Sequence, residues 1–366
     1  MQKSLSAVTG RPSKGACSLN RLAIPLSSRA LTATMALLLS STAVVARNNG
    51  DKRTAAAALI KKALAVSDFR APGSAAFELR GTLTVPLRKG KDAVGTYVLD
   101  WASPDRWREV IHVADYSRIR VGGVGMYWQL RSVSYELVPF FDFSAAFDFA
   151  KDLRFALDGP YWTDDAKGAV ETKERKVGIT KANCVSLQSR DSGLWKFCFD
   201  PQLGTLVSKG GMYFPGDETA EYSDFTAFRE KLLPETIRIT RGKDAVLTFR
   251  LEQIARLDKN EAEFNPPPGA EVWPTCPDAP KPPKLFHQKG VGTKGPQPDV
   301  SGDVFTYAVV GTDGVLHDVK VLGAISPNDA AFTLAVLSGW VERPQTCHGQ
   351  PQKTETIIRT SYTVQR

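Results

Sequence analysis

Histidine, cysteine and paired carboxylates are the residues of this chain that could hold a metal or carry a reaction. The four histidines, His112, His287, His317 and His348, have no ligand-type spacing among themselves. A zinc set drawn from Cys276, His287, Cys347 and His348 would lack the closely spaced cysteine pair that such sites use. "GGVG" at 122–125 is not set between a strand and a helix as a dinucleotide loop would be, and neither a phosphate-binding loop nor a nucleophile elbow occurs. "WTDDAKG" places Asp164 and Asp165 side by side in a polar turn, where both stay solvated. The expectation is a protein that is not an enzyme and has no metal or cofactor.

Cysteine chemistry points instead to cross-links. Cys17 lies in the basic leader, which leaves Cys184, Cys198, Cys276 and Cys347. In "CVSLQSRDSGLWKFCF" two strands flank a turn centred on Asp191. Counting outward sets Leu187 opposite Trp195, Val185 opposite Phe197 and Cys184 opposite Cys198. Directly opposed residues of an antiparallel pair come within disulfide reach. The cysteines take one face of this hairpin and the apolar pairs the other. A Cys184–Cys198 bridge is expected, with Cys276–Cys347 by elimination; four buried thiols are the alternative.

The elements that would position these residues are mostly strands. "RTAAAALIKKALAV" reads as a leading helix with Leu59, Ile60, Ala63 and Leu64 on one side. "AFELRGTLTV" alternates Phe77, Leu79, Leu83 and Val85 against polar residues, and "TYVLDW" puts Tyr97, Leu99 and Trp101 on one face. Further strands are expected near 116–121, 125–131, 170–179, 235–241 and 245–256. Turn-length gaps between strands argue for an antiparallel meander. Between them "PFFDFSAAFDFAKDLRFALD" carries Phe140, Phe143, Phe147, Ala150, Leu153 and Leu157 at helical spacing. Residues 265–300 hold ten prolines and read as an extended linker with no ladder. Beyond it, 301–366 forms a β-hairpin, a helix and a strand, with Ser326, Pro327 and Asp329 marking the helix start as a capping box. Phe332, Ala335, Val336 and Trp340 supply that helix's buried side.

The formal charge of +8 resides largely in the first 46 residues, which carry Lys3, Arg11, Lys14, Arg21 and Arg29 and no acid; 42 basic residues against 39 acidic ones remain. No basic stripe interleaved with aromatics follows, so no nucleic-acid partner is expected. Ala30 to Ala46 are uncharged and diluted by hydroxyl residues, and Val44-Val45-Ala46 suits a cleavage site. Residues 1–46 therefore read as a signal peptide delivering a periplasmic protein. The alternative is an uncleaved inner-membrane anchor facing the periplasm.

Two resemblances follow. "YAVVGTDGVLHDVKVL", "NDAAFTLAVLSGW" and "ERPQTCHGQPQKTETIIRTSYTV" together resemble the C-terminal domain of the TonB energy-transducer family. Gly314, Asp318, Val319, Trp340, Pro344, Gly349 and Pro351 carry the match, which covers under a fifth of the chain. It implies docking of an envelope partner, such as an outer-membrane receptor segment, by strand addition, as part of transport across the outer membrane. In "TETIIRTSYTV" the face bearing Ile357, Arg359, Ser361 and Thr363 would flank the incoming strand. Residues 47–264 more weakly resemble the LolA/LolB-like half-barrels of the bacterial envelope. That match rests on the leading helix, "YVLDWASPDRWREVI", the cysteine hairpin and "EFNPPPGA". It implies an alternative function, carriage of a lipid or other apolar ligand in a cavity lined by Trp101, Trp107, Phe140, Phe143 and Phe147, with Arg108 at a lid contact. The same aromatic residues would equally serve as core. The expected fold is α+β: an antiparallel half-barrel-like sheet with covering helices, the linker, and the small terminal domain.

Overall fold

A computed structural model describes residues 50–87, 90–158, 169–189, 193–211, 218–258, 261–276, 284–286, 302–324, 326–337 and 341–362. The hydrophobic leader, Asp164, Asp165, His287, Trp340 and Thr363 lie outside them. No helix among the described residues is long and apolar enough to cross a membrane.

A leading helix, α1 (50–67), is followed by five strands in sequence. These are β1 (Phe77–Pro86), β2 (Asp92–Ser103), β3 (Arg106–Val113), β4 (Tyr116–Gly123) and β5 (Met126–Arg131). Helices α2 (Val138–Phe147) and α3 (Phe149–Asp158) come next, then β6 (Ala169–Val177), β7 (Thr180–Ser189), β8 (Gly193–Phe199), β9 (Leu206–Gly210), β10 (Glu218–Phe228), β11 (Lys231–Arg241) and β12 (Asp244–Arg256). All join one antiparallel sheet of 13 strands, in the order β13-β5-β4-β3-β2-β1-β12-β11-β10-β9-β8-β7-β6. Strand β13 (Glu271–Pro274) is contributed from farther along the chain.

One face of this sheet carries the core. Phe77, Leu79 and Leu83 of β1 and Tyr97, Leu99 and Trp101 of β2 are buried there, as their alternation requires. They pack on Ile60 and Ala63 of α1 and on Phe140, Phe143, Phe147 and Leu153 of the two middle helices. The continuous helix expected over 139–158 is broken at Asp148, whose backbone (φ −91°, ψ 38°) leaves the helical region. Arg70 holds the Asp148 carboxylate at 2.6 Å.

The hairpin β7–β8 has the anticipated register, with Cys184 opposite Cys198, Val185 opposite Phe197 and Leu187 opposite Trp195. The Cys184–Cys198 and Cys276–Cys347 disulfides are both formed. The proline-rich segment is partly in the ladder: β13 pairs with β5, and β14 (Lys284–Phe286) pairs with β17 (Val341–Arg343). The reading of that segment as free of ladders is thus corrected. Only one proline, Pro274, falls within β13, and it ends that strand at the edge of the sheet, where a missing donor is tolerated.

The C-terminal unit has a three-stranded sheet ordered β16 (Leu316–Gly323), β15 (Gly302–Val310), β20 (Thr354–Tyr362), with helix α4 (Pro327–Leu337). Ser326 Oγ accepts from the Asp329 amide and Asp329 Oδ2 accepts from the Ser326 amide, each at 3.1 Å, so the capping box is made. Phe332 and Leu337 are the buried apolar positions of α4, while Ala335 and Val336 are half-buried. A short hairpin, β18 (Gln345–Cys347) with β19 (Gln350–Gln352), precedes β20. The described structure is α+β, mostly antiparallel sheet with few helices.

Candidate ligand groove

The site is built where β3, β4, β5 and β13 run out beneath α2 and α3. Trp107 of β3 points to the same face as Ile111 and Val113 and would collide with any side chain at position 122. A Cβ on Gly122 would stand 2.1 Å from the Trp107 indole nitrogen, and one on Gly123 2.6 Å from the Trp128 ring. Gly125 has φ +68°, the left-handed region that a tight turn uses. "GGVG" thus makes room for two indoles and turns the chain.

Trp107 then stands 6.4 Å, ring to ring, from Tyr127 of β5. These two, with Phe141 of α2, Phe155 of α3 and Trp273 of β13, wall an inner chamber of about 340 Å³. An outer chamber of about 870 Å³ shares Trp107, Phe155, Lys151 and Cys276 with it and opens between the β4–β5 turn and α3. Asp148 and Thr275 also line both chambers. Their charges nearly cancel: Arg70 pairs with Asp148, and Asp152 pairs with the buried Lys209. Burial raises the Asp152 carboxyl above its ordinary range although Lys209 acts in the other direction. Lys353 lies 3.9 Å over the Trp273 ring.

Behind the inner chamber lies a buried ion cluster. Arg118 is fully buried and donates to Glu136 Oε2 (2.7 Å), Glu109 Oε1 (2.5 Å) and Ser144 Oγ (2.9 Å). Burial opposes the charge of Glu136, but Arg118 and Arg120, with hydrogen bonds from Tyr116 and Arg118, hold its pKa below the ordinary value. Burial pushes the Tyr127 hydroxyl up to about 12 despite the nearby Arg120. Arg131 reaches across to Glu355 of β20 at 2.6 Å, and Tyr307 of β15 donates to the same carboxylate oxygen at 2.7 Å. Such a cluster is secure only while every member is paired.

The structure distributes the expected ligand residues unevenly. Trp107 lines both chambers. Trp101 stacks on Phe77, and Phe140 stacks on Tyr116. Phe143 and Phe147 pack against Tyr97 and Phe249, and the residual space beside Phe147 and Phe249 is only about 10 Å³. These four are core. Arg108 alternates with Trp107, so it projects from the other face, 3.8 Å from Asp100. Tyr127, Phe141, Phe155 and Trp273 were not anticipated. Phe141 and Phe155 lie one turn-position off the apolar stripe of their helices, and Trp273 sat inside the presumed linker.

The residues expected to flank an incoming strand are otherwise engaged. Arg359 and Ser361 both donate to Asp303 of β15, at 2.6 Å each, and Ile357 lies opposite Tyr307. Tyr307 and Val309 on that face pack on Trp273, and Phe305 lies under Arg241 at 4.3 Å. Among the described residues β20 pairs only with β15, but an unpaired edge is not by itself a docking site.

No protein-family model matches the sequence, and no curated protein matches it. Similar solved structures include a DUF1329-family protein from Desulfovibrio piger, at 10% identity and TM-score 0.38, covering 57% of this chain and 96% of that one. A LolA-superfamily protein from Nitrosomonas europaea matches at 9% identity and TM-score 0.35, covering 57% and 96%. The MucA/MucB complex of Pseudomonas aeruginosa matches at 13% identity and TM-score 0.24, covering 82% and 99%. Strand-addition docking as the principal function is withdrawn: on the face of β20 assigned to a partner, Arg359 and Ser361 are spent on Asp303 and Ile357 lies opposite Tyr307, all within the chain.

Proposed function

We propose that this chain is a non-enzymatic periplasmic protein that binds an apolar or amphiphilic ligand, such as a lipid, in the groove beneath α2 and α3. The observation that carries this reading is the cleft of about 340 Å³ walled by Trp107, Tyr127, Phe141, Phe155 and Trp273, with a second cleft adjoining it at Trp107 and Phe155. Pockets that take small apolar molecules are of this size and lining, with a few polar groups to orient the ligand. The paired charges around the rim favour a ligand with little net charge. Two disulfides agree with an oxidising compartment outside the cytoplasm.

The test is a titration of the intact chain with N-phenyl-1-naphthylamine, together with mass spectrometry of solvent extracts from protein purified out of a native envelope. Saturable fluorescence that is lost in Trp107→Ala, and a co-purifying lipid, are the expected results. A flat titration with empty extracts would end the ligand reading.

A further inference from the structure

We propose that the C-terminal unit is a removable wall of the groove, held shut by the Cys276–Cys347 bridge and released when a dithiol reductant cleaves that bridge. The proposal rests on the ligand reading above and deepens it by naming what controls the site.

The wall is visible in the lining. Gln345, Lys353, Thr354 and Glu355 of the C-terminal unit line the inner chamber together with Trp107 and Phe141. Cys276 lines both chambers, and its partner Cys347 sits two residues beyond Gln345. The bridge is therefore part of the groove's own wall. It is also the covalent tie between the edge strand region after β13 and the hairpin that precedes β20.

The other bridge makes the contrast. Cys184–Cys198 joins neighbouring strands that are each also paired on their far side, β7 to β6 and β8 to β9. Cutting it would leave both strands in the ladder. Cys276–Cys347 spans 71 residues. Among the described residues the C-terminal unit is otherwise held to the large sheet by side-chain contacts with no strand pairing: Glu355 with Arg131, Arg120 and Gln129, Tyr307 with Arg131, Tyr135 and Trp273, Lys353 over Trp273, Lys320 over Tyr135, and Phe305 under Arg241. With the bridge intact, those contacts re-form at once after each opening. Without it, the effective concentration that favours closure falls.

The chemistry balances. A thiolate of the dithiol attacks one sulfur of the bridge and forms a mixed disulfide, and its second thiolate then displaces the remaining protein thiolate. Two electrons and two protons pass to Cys276 and Cys347, and the donor leaves as a disulfide.

The experiment compares the full oxidised chain with the Cys276→Ser/Cys347→Ser variant by two readouts. One is the dissociation rate of N-phenyl-1-naphthylamine, and the other is amide hydrogen exchange along β20, with β7 and β8 as the control for folding. Dissociation roughly tenfold faster in the variant, with faster exchange in β20 and unchanged protection in β7 and β8, is the expected result. Unchanged exchange in β20 overturns the latch. Faster exchange with an unaltered dissociation rate overturns the C-terminal unit as a wall. Should the oxidised chain bind no probe while exchange in β20 still rises in the variant, the ligand reading fails and the latch stands.

Discussion

Helix α2 serves two regions that use the same residue type for opposite ends. Phe143 faces the centre of the sheet, where Tyr97, Phe147 and Phe249 leave almost no free space. Phe141, two positions earlier, lines the inner chamber with Trp107. Between them Asp142 is buried against Glu218 and Arg241. An aromatic side chain therefore says nothing of binding by itself. What separates core from groove is whether the facing strand supplies another large side chain or, as at Gly122 beneath Trp107, gives one up.

The comparison can be broken most forcefully from the core side. Phe143→Ala removes a buried ring with little chance of collapse, so a stability loss of about 3–5 kcal/mol in urea unfolding is expected, with probe binding retained by the folded fraction. From the groove side, Gly122→Ala drives a methyl group into the Trp107 indole. A smaller loss of about 1–3 kcal/mol is expected, together with weakened probe binding, because the indole must move. Binding lost in the first variant and kept in the second would reverse the assignment of the two regions.

Asp142 sharpens the comparison through pH. Burial first, and the charge of Glu218 second, raise its pKa well above the ordinary value. The folded chain thus keeps a proton that the unfolded chain releases above about pH 4. Stability falls as pH rises from that point, by about 1.4 kcal/mol per unit while the native proton is retained. Asp142→Asn cannot ionise, so its unfolding midpoint should fall less steeply between pH 4 and 7 than that of the parent chain. Parallel profiles would show that the carboxyl is ionised in the native state. The smallest effect is expected at Lys353→Ala, which removes the ammonium from the Trp273 ring at the groove wall. About 0.5–1 kcal/mol is at stake there, measurable in a thermal shift, with the core unaffected.

Much of the sheet is legible in local pattern. The cysteine hairpin could be registered from its turn because pairing across a short turn involves only neighbours in sequence. The cap of α4 was legible for the same reason, since Ser326 and Asp329 satisfy each other's backbone. Strands β9 and β10 carried no comparable signal and were not anticipated. Strand β4 shows where alternation misleads: "YSRIRVGG" offers Ile119 and Val121 as the apolar set. Yet Tyr116, Arg118, Arg120 and Gly122 are the residues on the inward face. Arg118 can be buried only because Glu109 and Glu136 meet it there, from other elements.

What the sequence determined by itself is the alternation of β1 and β2, the register of the β7–β8 cysteine hairpin and the cap of α4, because each depends on groups a few residues apart. The tertiary structure alone decided which aromatic rings fill the core and which wall a groove, and that the C-terminal unit lies against the large sheet. Glu355 meets Arg131 across more than 200 residues of chain, and Trp273 meets Tyr307 across a proline-rich segment. Contacts of that kind are selected by shape and charge after the chain has folded, and no local spacing encodes them.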